Sequence, residues 1–205
     1  MNLRRTGESG PRSITGRPKG ESSPSCSPRS MNEIRGKRVA ILVEEEYQDQ
    51  EVWYPYYRLK EAGASVKVLG TGKAEYKSKF GYPIKPDAHV GDVSIDDFDC
   101  VIVPGGWAPD RLRRHTKVNQ FVAEADRKKK VIGAICHASS VLVSAHILKG
   151  RTITSFSAVK DDAVYAGAKW VDKEVCVDGN LITSRQPDDL PAFCAEIIES
   201  LKGRK

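Results

Sequence analysis

Cys136 and His137 stand side by side in KVIGAICHASSVLVSAHILKG (130–150), where a short apolar run gives way to a helix-like pattern. A thiol in the first turn of a helix faces unpaired backbone N–H groups and the positive end of the helix dipole, and both favour the thiolate. A sharp strand-to-helix turn also exposes the residue at its apex, the geometry of a nucleophile elbow. Position alone leaves a blander role open, with Cys136 a small apolar residue closing a buried strand and His137 an ordinary turn residue. Two neighbours point toward chemistry. Gly105 and Gly106, after the run CVIV, let backbone amides approach a ligand as closely as an oxyanion hole requires. The first apolar run ends in Glu44, Glu45 and Glu46, a costly place for carboxylates without a role.

The elements that must position these residues alternate in kind. RVAILV (38–43), SVKVLG (65–70), CVIV (100–103), KVIGAI (130–135) and RTITS (151–155) read as buried strands. Between them lie amphipathic segments. Residues 49–63 predict a helix kinked or delayed by Pro55 and stopped at Gly63, and Val118, Phe121, Val122 and Ala125 recur at helical spacing behind Thr116 as N-cap. Helices are also expected over 138–150 and 188–202, with an edge hairpin or loop at 80–87 and a hairpin on Asp-Gly-Asn within 174–184. This alternation predicts an α/β fold with a mostly parallel central sheet covered by helices on both faces. In such sheets ligands bind beyond the carboxyl ends of the strands, here Pro104-Gly105-Gly106 and Cys136-His137.

Composition narrows the function classes. Residues 1–30 carry seven Ser, four Pro and four Gly, so they cannot bury enough surface to offset their ordering entropy. A disordered basic tail is expected there, ahead of a single domain over 31–205. Of the net charge of +6, four units belong to this tail, which holds six basic and two acidic residues. The remainder has no basic face suited to nucleic acid. The tail lacks the apolar stretch of a secretory signal, and no segment reaches the roughly 20 apolar residues of a membrane span. A cytoplasmic protein is expected, in which Met31 could serve as an alternative start and leave the tail dispensable. Five widely spaced cysteines without a CxxC pair suggest reduced thiols, with no disulfide framework or zinc site. His89, His115 and His146 read as ordinary loop and helix residues, Cys100, Cys176 and Cys194 as packing, and Trp53, Tyr54 and Tyr57 as core or subunit interface. No metal or cofactor is expected.

Five blocks in order, EEEYQDQEVWYPYYRLKEAG, FDCVIVPGGWAPDRLR, GAICHASSVLVSAHILKGRTITS, VKDDAVYAGAKWVD and LITSRQPDDLPAF, make residues 37–202 resemble the PfpI-like intracellular protease family. Its superfamily includes the Parkinson's-associated protein deglycase and the class I glutamine amidotransferase-like domains. The resemblance implies a flavodoxin-like three-layer sandwich. It assigns Cys136 as nucleophile, His137 as catalytic acid or base, and Glu46 as the carboxylate that hydrogen-bonds the thiol from the end of the first strand. Asp110 falls where the family places an acid that reaches the histidine of a neighbouring subunit, so a homo-oligomer with shared sites is implied. The amides of Gly106 and His137 become the oxyanion donors, and Gly105, Gly106 and Trp107 border the substrate. Four positions depart from the family pattern: Asp110 stands for Glu, Trp107 is bulky, Gln48 replaces a second acid, and CHAS replaces CHGP. An amidotransferase triad is excluded, because no histidine follows His146.

Three functions remain from these residues. The leading one is a cysteine-dependent glyoxalase or deglycase acting on small aldehydes such as methylglyoxal, or on their adducts with proteins. The second is a PfpI-type cysteine peptidase using the same pair to form a thioester. The third is a non-enzymatic redox sensor that needs an oxidisable Cys136 and no His137.

Overall fold

A computed structural model describes residues 32–203. β1 (Arg38–Leu42) leads into α1 (Asp49–Glu61) and β2 (Ser65–Gly70). A small antiparallel pair, β3 (Tyr76–Lys77) with β4 (Pro83–Ile84), precedes β5 (Ala88–His89) and β6 (Cys100–Val103). Two helices, α2 (Ala108–Leu112) and α3 (Thr116–Arg127), lead to β7 (Val131–Ile135), a 3-10 turn and α4 (Ser139–Ser144). β8 (Thr152–Ile153), α5 (Lys160–Tyr165) and β9 (Lys169–Trp170) form a second small unit, β8 pairing with β9 in parallel. β10 (Val175–Asp178), β11 (Leu181–Ser184) and α6 (Leu190–Lys202) complete the chain.

The main sheet runs β10-β11-β7-β6-β1-β2-β5, with β10 antiparallel to β11 and every other pairing parallel. β6 and β7 bury every residue, because helices cover both faces. α1 and α6 lie together on one face, and α2, α3, α4 and α5 on the other. The result is the flavodoxin-like three-layer sandwich expected from the sequence. From β1 the chain moves to β2 and then crosses back to β6 on the other side, so the strand order reverses between β1 and β6. A crevice opens at such a reversal, beyond the carboxyl ends of the strands.

Several local elements differ from their sequence signals. α1 begins at Asp49 and continues through Pro55, which removes one helical bond, that to the carbonyl of Glu51. α3 starts at Thr116, but His115 holds the N-cap position and no side chain caps it. The helix expected over 138–150 is shorter: α4 stops at Ser144, and the chain turns at His146, whose φ is +57°. Residues 71–99 resolve into the β3–β4 hairpin and two 3-10 turns, one with a capping box between Ser94 and Asp97. The basic tail at 1–30 lies outside the described residues.

Candidate active site

β7 delivers Cys136 at its carboxyl end. The residue adopts φ +63° before a 3-10 turn, Cys136–Ala138, that runs into α4. For a residue with a Cβ this left-handed conformation costs about 1–2 kcal/mol, so the surrounding packing must hold it. The neighbouring strand end makes room. A Cβ on Gly105 would come within 2.6 Å of both Cys136 Cβ and Glu51 Oε2. Gly106, at φ +79°, lies so close to the loop after β1 that a Cβ would stand 2.5 Å from the Glu46 carbonyl oxygen. Close approach therefore requires glycine at both positions, and the left-handed backbone requires it again at Gly106.

The carboxylate beside the thiol is Glu51, not Glu46. Glu51 is fully buried in the first turn of α1, and its Oε2 accepts a hydrogen bond from the Gly105 amide at 2.7 Å. The same carboxyl faces the Cys136 thiol, both groups crowding the space beside Gly105. Glu46 departs from its expected position for a backbone reason. Its φ of +62° carries the side chain away from the sulfur to an ion pair with Arg111.

Burial raises the Glu51 carboxyl to about 7, with the Gly105 amide and the Cys136 thiol opposing the rise. Burial, followed by the Glu51 charge, pushes the Cys136 thiol up to about 12, against the pull of the Gly106 and His137 amides. A thiolate favoured by the helix dipole was expected, yet the following helix is only six residues long and a carboxylate faces the sulfur. While Glu51 is ionised, the resting sulfur is the thiol.

His137 Nδ1 lies 3.2 Å from Cys136 Sγ. Its ring stacks on Phe156 at 5.1 Å and meets Trp107 at 6.0 Å. Desolvation, then the Lys79 charge, lowers its pKa, so the imidazole is neutral at neutral pH and can take or give one proton. The β3–β4 hairpin brings Lys79 to the rim: Ser78 Oγ accepts from the Phe80 and Tyr82 amides, and the Lys79 amide donates to Tyr47 O.

These groups line a cavity of about 160 Å³, with Gln48, Phe156, Gln186 and Pro187 completing its wall. Trp107 borders it as expected and is more than half exposed. Asp110 does not line it and pairs instead with Arg114. Among the described residues no cluster of three His, Cys, Asp or Glu side chains could hold a metal ion. Cys100 and Cys194 are buried packing residues, and Cys176 donates to Thr152 O. Tyr54 and Tyr57 are exposed rather than part of the core. Glu51 was missed in the sequence, although an acid four residues before a helix proline, facing the core, was a usable signal.

The DJ-1/PfpI family profile matches residues 37–200. Over 165 residues the chain is 39% identical to the deglycase PfpI of Pyrococcus furiosus, covering 80% of this chain and 99% of that protein. It is 38% identical over 170 residues to general stress protein 18 of Bacillus subtilis, covering 82% and 99%. The crystal structure of Drosophila melanogaster DJ-1beta superposes with a TM-score of 0.77 at 30% identity, covering 82% of this chain and 91% of that one. With a mostly parallel sheet, a strained cysteine at the end of β7 and a match across nearly the whole described chain, this protein belongs to the DJ-1/PfpI family.

Proposed function

We propose that the protein is a cofactor-independent cysteine enzyme acting on small reactive aldehydes or on their adducts with proteins. One observation carries the reading: Cys136 sits at the base of a small cavity between a buried carboxyl, an imidazole and two backbone amides. A cavity of about 160 Å³ suits a three-carbon aldehyde and excludes a folded chain. The deglycase name of a 39% identical relative supports the same class.

For methylglyoxal the steps follow from the groups present. The Cys136 sulfur bonds to the aldehyde carbon as its proton passes to Glu51, and the amides of Gly106 and His137 stabilise the developing oxyanion. The imidazole of His137 then moves the proton from that carbon toward the neighbouring carbonyl, turning the hemithioacetal into a thioester. Water adds to the thioester, releasing lactate and restoring the thiol, so methylglyoxal and one water become lactate. An adduct enters the same route when sulfur displaces the amine from the adduct carbon and the amine leaves with the proton. The test is lactate formation from methylglyoxal by the purified protein and by Cys136→Ala. Turnover that disappears in the variant is expected, and equal lactate from both proteins sinks the reading.

A further inference from the structure

The cavity over Cys136 adjoins a second one. Phe156 and Gln186 wall both, and the second, of about 220 Å³, is lined further by Ser157, Trp170, Asp172 and Arg185. We infer that this second cavity is a subsite for polypeptide main chain. The substrate of Cys136 is then an aldehyde adduct carried on a peptide or protein. This inference rests on Cys136 being the nucleophile proposed above.

The second cavity has a fixed frame. Trp170 Nε1 donates to Ser155 Oγ at 3.0 Å. The Phe156 amide donates to Cys136 O at 3.2 Å, which ties the wall between the cavities to the elbow itself. Arg185 is clamped by Asp189, through Nε at 2.9 Å and Nη2 at 3.0 Å, and by Asp172, through Nη1 at 2.7 Å. A binding surface held this firmly loses little entropy when a ligand arrives.

Charge and hydrogen-bonding capacity select the ligand. Asp172 and Asp189 balance the Arg185 guanidinium and the Lys160 ammonium over the Trp170 ring, so the cavity offers no net positive charge to a phosphate or carboxylate. It offers neutral recognition instead. Two of the five guanidinium N–H groups of Arg185, the Ser157 hydroxyl and the Gln186 carboxamide have no hydrogen-bond partner among the described residues. Donors and acceptors mixed in this way match the carbonyl and N–H groups of a peptide. Size points the same way. The space above the sulfur takes the adduct carbons, and the chain that bears them needs the adjoining space.

Alkylation of Cys136 tests the inference without assuming any turnover. Iodoacetamide and iodoacetyl-glycylglycinamide form the same carbon–sulfur bond and release iodide, the thiol proton passing to solvent, and only the second carries peptide amides. Their efficiencies at Cys136, read by mass spectrometry, are compared as a ratio within each protein. The wild type is expected to prefer the peptide reagent by about tenfold, with saturation, the span of one or two good hydrogen bonds. Ser157→Trp fills the second cavity and is expected to bring the ratio to about one, the value set by intrinsic reagent chemistry. Gln186→Ala is expected to lower it too and decides the matter if Ser157→Trp does not fold. Equal efficiencies in the wild type, or a preference that survives the folded variants, overturn the subsite. A protein with the preference and no lactate formation sinks turnover of the free aldehyde alone. Lactate formation without the preference sinks the subsite alone.

Discussion

Glu51 carries a cost that its position makes measurable. A carboxyl with an ordinary value of 4.5 in the unfolded chain is raised to about 7 by burial. Between those values the folded state holds a proton that the unfolded state has lost, so the stability the protonated group supplies falls as pH rises from 4.5 to about 7. Glu51→Gln keeps the shape and an acceptor for the Gly105 amide while removing the charge. Its melting temperature is expected to exceed that of the wild type near pH 8 and to match it near pH 5, roughly either side of the titration. A variant less stable at both pH values would contradict the buried-carboxylate account. Cys136 and His137 were legible because an apolar strand pattern breaks at them. Glu51 was harder to pick, because four acids, Glu44, Glu45, Glu46 and Asp49, stand closer to the strand end and helical phase alone does not say which acid turns under β6. The family resemblance put Glu46 in that role, and its left-handed backbone sends it elsewhere.

Elements are also joined by polar ties away from the site, and Arg151, near the amino end of β7, holds several of them. Its guanidinium, 16% exposed, bonds Asp126 of α3, the carbonyl and carboxylate of Asp178 on β10, and Asn180 in the β10–β11 turn. Asn180 itself donates to Asp126 and to Lys130 O just before β7. Arg151→Ala leaves Asp126 shielded from water without its cation. The variant is expected to lose about 3 kcal/mol, read by denaturant unfolding, and a loss under about 1 kcal/mol would show the network to be surface decoration. The central strands and α1, α3 and α6 were legible from periodicity because each is long or fully apolar. The short α2 and α5, five and six residues, hold too few positions to show a period. Their form depends on packing that only the folded sheet provides.

At the scale of the whole molecule, Asp110 bears on assembly. It is exposed, paired with Arg114, and absent from the cavity of its own chain. If it completes a neighbour's site, Asp110→Ala and Cys136→Ala are each impaired alone. Mixed one to one after subunit exchange, they are expected to recover about a quarter of wild-type turnover per subunit in a dimer. A mixture no more active than its parts would place Asp110 outside the site. The mostly parallel sheet covered on both faces followed from strand and helix alternation, whereas a contact between two copies leaves no periodic trace in one chain. The central claim joins these scales: a thiol served by a buried acid turns over a small aldehyde. Its most direct test is lactate formation from methylglyoxal by wild type and Glu51→Gln from about pH 5.5 to about pH 8.5. The account predicts a wild-type rate that rises through about pH 7 as Glu51 becomes able to take the thiol proton, and a variant about 100-fold slower without that rise. The same pH dependence and rate in both proteins would contradict it.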